Sequence, residues 1–263
     1  GAGTGGPTTP GPTTSGPTTP GSTTPGTATP GTAGTARPAD TAPRPDLPPV
    51  RPIADVLAEL DALVGLDHVK AEVRRLTSLL HVQQLRAERG LPTVEASRHL
   101  VFTGNPGTGK TTVARLLAQI YRSLGLATVG HLVETDRSKL VAGFVGQTAT
   151  RTAEVLASAL GGTLLIDEAY ALARGGENDF GLEAIDTIVK FMEDHRDDLS
   201  IVAAGYTAEM AELIDANPGL KSRFTRTIHF PDYTTDELVR IFLLLAHHPL
   251  PRLHHRRTRP DLP

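Results

Sequence analysis

The chain has 263 residues and a formal net charge of −3, with 26 Lys and Arg set against 29 Asp and Glu. Its basic residues are dispersed, which argues against a nucleic-acid binder and leaves only a narrow basic pore compatible with that class. It contains 0 cysteines, so disulfides and thiolate metal sites are excluded and a reducing compartment fits.

Gly1 to about Pro49 is built from Thr, Pro, Gly, Ala and Ser, with P-T-T-P-G and G-P-T-T recurring. Such a stretch buries too little surface to offset chain entropy, so 1–50 is expected to be a disordered, flexible linker. A glycosylated stalk is the alternative, but no signal peptide is visible to support export. The chain begins with Gly rather than Met, which leaves room for an upstream portion.

Apolar residues recur at helical spacing from Ile53 to about Gly90, interrupted by a turn at Val64-Gly65-Leu66. His99-Leu100-Val101-Phe102 reads as a strand and Thr112 to Ala118 as a helix. Between them, Gly104-Asn105-Pro106-Gly107-Thr108-Gly109-Lys110-Thr111 matches the phosphate-binding pattern G-x-x-x-x-G-K-[ST]. The glycines let successive backbone N–H groups turn toward an anion, and the opening turn of the helix adds further donors. Lys110 is placed to reach terminal phosphates, and the Thr111 hydroxyl to hold Mg²⁺.

Further along, His131 to Glu134 is a short strand and Thr152 to Leu160 a helix stopped by Gly161-Gly162. Thr163-Leu164-Leu165-Ile166 is almost wholly apolar, as in a strand buried on both faces. A helix runs through Ala184, Ile185, Ile188, Val189 and Met192; Leu199 to Ala204 and Thr227 to Phe230 are the last strands. Strands alternating with helices predict an α/β fold with a parallel sheet, and a nucleotide at its carboxyl edge. The longest late apolar run, Ile241 to Ala246, is too short to cross a bilayer, so a soluble cytoplasmic protein without membrane insertion is expected.

Asp167-Glu168 ends the buried strand, bringing two carboxylates to the edge where the phosphate loop lies. Two acids there call for a cation or a water network: Asp167 as an Mg²⁺ partner, Glu168 to polarise a water for attack on a γ-phosphate. Arg223 lies just before the fifth strand; taken alone it is an ordinary salt-bridging arginine, and the same holds for Arg226. Phe144 lies among glycines in Ala142-Gly143-Phe144-Val145-Gly146, which suggests an exposed loop rather than core packing.

These residues together resemble a family of AAA+ ATPases: stage V sporulation protein K, the CbbX-type rubisco activases and the EccA ATPases of type VII secretion. The likeness covers about Leu63 to Phe242 and rests on several motifs. They are Leu63-Val64-Gly65-Leu66, the phosphate loop from Phe102 to Thr112, Gly130 to Glu134, Leu165-Ile166-Asp167-Glu168-Ala169-Tyr170, Ala204-Gly205-Tyr206, Asn217 to Phe224, and Phe230-Pro231-Asp232-Tyr233. The stretch Ala173 to Gly181 is closer to the sporulation and secretion members than to the rubisco activases.

The resemblance implies a P-loop NTPase sheet of five parallel strands in the order 5-1-4-3-2, with helices on both faces. It further implies a homo-oligomeric ring, usually a hexamer, with ATP and Mg²⁺ at subunit interfaces and a polypeptide client gripped in the centre. Gly104, Asn105, Pro106, Gly107, Thr108, Gly109, Lys110, Thr111 and Thr112 then contact the phosphates, and Gly65 and Leu66 lie against adenine. Thr111 and Asp167 hold Mg²⁺, Glu168 activates water, and Arg223 is the finger donated to a neighbour. Phe144, Val145 and Gly146 form the pore loop, while Tyr206 leaves the sensor role unassigned.

The likeness makes 51–246 the ATPase domain, with 234–246 as the start of a helical lid whose remainder is largely missing. Residues 247–263 are an irregular His/Arg/Pro-rich tail, with a paired-histidine metal site as the alternative. The leading expectation is a ring ATPase that remodels a protein client. An ATP-dependent switch or scaffold without threading is the alternative, and a DNA motor is disfavoured by charge. The identity of the client is not legible in the sequence.

Overall fold

The structure, a computed structural model, describes residues 47, 49–93, 97–144, 146–175 and 180–247, all within the unit Asp46–Pro263. Most of the Thr/Pro-rich arm, Val145, residues 176–179 and the tail beyond His247, with its paired histidines, lie outside the described residues.

Five parallel strands form one sheet in the order β2-β3-β4-β1-β5, which is the expected order read from the opposite edge. They are β1 (Leu100–Thr103), β2 (Leu132–Thr135), β3 (Thr163–Ile166), β4 (Ser200–Gly205) and β5 (Thr227–His229). The three inner strands are buried along their whole length, while β5 at one edge buries only Ile228. That contrast follows from covering a parallel sheet on both faces.

Side-chain alternation divides the core in two. Leu100 and Phe102 of β1, with Leu165, Val202 and Ala204, pack against α1 (Ile53–Ala62), α2 (Asp67–Glu88) and α3 (Lys110–Ser123). Val101 faces the other way, with Leu164, Ile166, Ile201 and Ala203. There it meets α4 (Arg137–Leu140), α5 (Thr148–Ser158), α6 (Gly181–Asp194), α7 (Thr207–Ala216) and α8 (Pro218–Arg223). α9 (Thr235–His247) starts from a reciprocal cap. Glu237 Oε2 accepts from Thr234 N at 2.8 Å, and Thr234 Oγ1 accepts from Glu237 N at 3.3 Å. No described helix is long and apolar enough to cross a membrane.

Three helices escape the apolar-periodicity reading: α4, α7 and α8. α8 is set by local chemistry instead, since Asn217 Oδ1 accepts from Leu220 N at 3.0 Å and Pro218 occupies the first turn. α5 begins four residues before the expected Thr152 because its first turn lacks large apolar residues and is anchored by the buried polar Thr148. Thr148 Oγ1 accepts from Ala142 N at 3.1 Å, and Thr152 Oγ1 donates to Leu140 O at 3.1 Å. These two bonds pin both roots of the loop that carries Phe144.

Candidate nucleotide site

β1 runs out into the glycine-rich loop, and the backbone there accepts only glycine at two positions. Gly104 has φ 142°, and a Cβ on it would lie 2.3 Å from the Phe230 carbonyl oxygen. Gly109 has φ 90° and caps α3, so the N–H groups of the first turn open toward the loop. A cavity of about 350 Å³ sits over this junction, formed by Gly104, Pro106, Gly107, Gly109 and Lys110–Thr112 on one side. Asp167, Glu168, Gly205 and Tyr206 close the other side. All three contributing segments follow the carboxyl ends of β1, β3 and β4, the strands that stand side by side in the sheet centre.

Within the cavity Lys110 Nζ donates to the Gly104 and Asn105 carbonyls at 2.9 and 2.7 Å. Burial pushes its ammonium below the ordinary lysine range, and the Asp167 carboxylate opposes that shift. Glu168 follows β3 in a left-handed conformation, φ 48° and ψ 43°. Among the described residues, only Leu66 (φ 60°) is a second non-glycine of this kind. Such a backbone costs on the order of 1–3 kcal/mol and persists where its surroundings over-determine it. Here the Glu168 N–H donates to Asp167 Oδ1 at 3.1 Å, and its carbonyl accepts from Ala171 N at 2.8 Å, opening a 3-10 turn over Ala169–Ala173. Beneath it Tyr170 is buried beside Tyr206, ring centroids 5.8 Å apart. Burial first, then the charge of Glu168, raises the Tyr170 phenol above its usual range.

Not every residue of the loop faces the cavity. Asn105 turns away, and its Nδ2 donates to both Asp232 oxygens at 2.9 Å. Thr108 is buried, with Oγ1 donating to Asn105 O at 2.8 Å. Gly65 and Leu66 lie outside the lining, yet Leu66 Cδ1 stands 3.4 Å and Tyr233 Oη 3.1 Å from where a Gly109 Cβ would be. Phe230, Asp232 and Tyr233 thus strap the loop from outside, and Glu237 presses on Gly65, whose Cβ would clash with its carboxylate. Asp232, Tyr233 and Glu237 receive no role from sequence reasoning. The signal for Asp232 and Tyr233 is the Phe-Pro-Asp-Tyr run directly after an edge strand.

Arg223 is elsewhere. It ends α8 and lines a second cavity of about 320 Å³, with Arg98, His99, Glu193, Arg196 and Asp197 among the walls. That cavity opens at the amino ends of β1, β4 and β5, on the opposite edge of the sheet from Lys110. Phe144 projects from the loop between α4 and α5 with 73% of its surface exposed, away from both cavities.

Comparison with known proteins agrees with this architecture. Residues 100–232 match the model of the ATPase family associated with various cellular activities (AAA). The chain is 46% identical over 189 residues to stage V sporulation protein K of Bacillus subtilis, covering 72% of this chain and 59% of that protein. It is 49% identical over 197 residues to the plasmid protein CbxX of Cupriavidus necator, covering 74% and 62%. To the ESX-3 secretion system protein EccA3 of Mycobacterium tuberculosis it is 48% identical over 184 residues, covering 70% and 29%. The chain therefore spans about three fifths of the first two relatives and less than a third of the last. With its phosphate loop, acid-ended β3 and matching strand order, the chain belongs to the AAA family of ATPases.

Proposed function

We propose that the protein binds ATP with Mg²⁺, hydrolyses it, and acts as a subunit of a ring that pulls on a polypeptide client. The observation that carries the first part is the convergence of Lys110, Thr111, Asp167 and Glu168 on one cavity, from two separate segments. Lys110 already spans the loop with its ammonium held by neutral carbonyls, which phosphate oxygens replace. The cradle suits a polyphosphate because it offers a lysine, the open turn of α3 and glycine backbone.

Thr111 and Asp167 supply hard oxygen donors that would hold Mg²⁺. Among the described residues no group of three or more His, Asp or Glu forms a self-sufficient metal site. Bound there, Mg²⁺ would neutralise charge on the phosphates. Glu168 sits at the cavity wall, where it accepts the proton of the attacking water. Arg223 cannot serve its own subunit from the opposite sheet edge, which supports a role at a neighbour's phosphates in a ring. The exposed, pinned Phe144 loop supports the threading step, with Phe144, Val145 and Gly146 as the grip.

The test has two arms. Glu168→Gln should keep ATP affinity within about three-fold while turnover falls at least about 100-fold, roughly 2.7 kcal/mol. Undiminished turnover overturns the hydrolytic assignment. A permanently unfolded model polypeptide should stimulate the wild-type ATPase. Phe144→Ala should abolish that stimulation and leave basal turnover intact. Equal stimulation in the variant favours the alternative, an ATP-dependent switch or scaffold that does not thread.

A further inference from the structure

The second cavity holds a guanidinium that is only partly satisfied. Arg223 Nη1 donates within its own helix, to Gly219 O at 3.1 Å and Ser222 Oγ at 3.3 Å. Nη2 donates to Glu193 Oε2 at 3.1 Å, while the buried Nε finds no acceptor among the described residues. Glu193 has no second oxygen to offer, because its Oε1 accepts from Arg196 Nη2 at 2.8 Å. The carboxylate is stretched between two arginines and meets Arg223 through one oxygen only. A guanidinium binds best through two adjacent N–H groups, and Nε–H with Nη2–H form such a pair.

The rest of the cavity favours an anion. Its charged walls are Arg98, Arg196 and Arg223 against Glu193 and Asp197, one net positive charge. Arg98 is fixed as a wall: its guanidinium donates to the Leu126 and Arg196 carbonyls and sits 3.7 Å from Asp197. The Arg223 guanidinium is not fixed in this way, since among the described residues its hydrogen-bond partner beyond α8 is Glu193 on α6. The subunit's own phosphate loop lies at the far edge of the sheet, so an anion arriving here comes from another molecule.

We propose that Glu193 is an internal stand-in for phosphate: it holds Arg223 until the nucleotide of a second copy of this chain takes its place. The inference rests on the reading of Arg223 as a residue acting across a subunit interface. A terminal phosphate offers at least two oxygens to Nε and Nη2, so it satisfies the group that Glu193 leaves unmet. Glu193 therefore acts through Arg223, and it sets how readily nucleotide draws subunits together.

Sedimentation velocity on the full chain tests this, using Glu168→Gln protein with ATP and Mg²⁺ so that nucleotide is not consumed. Adding Glu193→Gln should lower the protein concentration at half-association about two- to five-fold, the range an exposed ion pair is worth. The gain should vanish when Arg223→Ala is also present, because the two act as one unit. Glu193→Asp, which keeps the charge but shortens its reach, should shift the midpoint in the same direction if the amide disturbs α6. An unchanged or raised midpoint in both variants overturns the stand-in role while Arg223 still matters. ATP-driven association that survives Arg223→Ala undiminished removes the interface reading instead, and the proposal with it. Absence of association at any concentration also overturns it.

Discussion

The two edges of the sheet each hold a half-buried cation, and they hold it differently. At the carboxyl edge Lys110 rests on two main-chain carbonyls of its own loop. At the amino edge Arg223 rests on a carboxylate from another helix. Neutral carbonyls release an ammonium to an arriving phosphate without leaving a charge behind. A carboxylate must be replaced charge for charge, and it competes until it is. The Lys110 edge is thus a cradle that one subunit completes by itself. The Arg223 edge is a surface whose chemistry needs a second molecule.

The largest expected effect breaks the first edge and spares the second. Among the described residues Lys110 is the one cationic side chain lining its cavity, so none of them replaces it. Lys110→Ala should cut turnover at least about 1,000-fold, roughly 4 kcal/mol of transition-state stabilisation, and weaken ATP binding measured by titration calorimetry. Arg223→Ala should leave ATP affinity of the dilute subunit within about two-fold, because its guanidinium faces the other edge. Equal loss of ATP affinity in the two variants would erase the distinction between the edges.

How far the sequence reveals these two edges differs in the same way. The carboxyl edge is contiguous in sequence: one loop of eight residues and one strand ending in two acids place Lys110, Thr111, Asp167 and Glu168 on a common cavity. Strand order comes from the family resemblance instead, since apolar strands belong inside the sheet without being ordered among themselves. The amino edge is assembled from residues before β1, β4 and β5, and no local spacing announces Glu193 beside Arg223. α8 is missed because a cap, not an apolar stripe, defines it; the Asn217-Pro218 pair is its only local mark. Asn105 and Thr108 belong to the motif yet face Asp232 and the loop's own carbonyl, a distinction no spacing rule contains. The left-handed backbones of Leu66 and Glu168 are not legible, since neither residue type prefers them.

The smallest expected effect concerns stability and belongs to the amino edge alone. His99 is buried in the wall beside Arg98 and Arg223, and its Nδ1 accepts from Ile201 N at 3.1 Å. An accepting Nδ1 requires the neutral ring with its proton on Nε2. Burial first, then the charges of Arg98 and Arg223, lower its pKa from 6.5 to about 4. The unfolded chain therefore takes up a proton below about pH 6.5 that the folded chain refuses until about pH 4. Stability from this residue is full above pH 6.5 and is lost as pH falls through that window, by about 3 kcal/mol in all. His99→Asn keeps an oxygen where Nδ1 accepts, but it cannot titrate. Denaturant titrations of both proteins share the slope contributed by the carboxylates. Their stability difference should therefore narrow by about 3 kcal/mol between pH 7 and pH 4. Parallel curves would mean that His99 is already solvated or charged, and the amino edge would then lose its dry wall. No matching change is expected at the carboxyl edge, so ATP affinity at pH 7 should be equal in the two proteins.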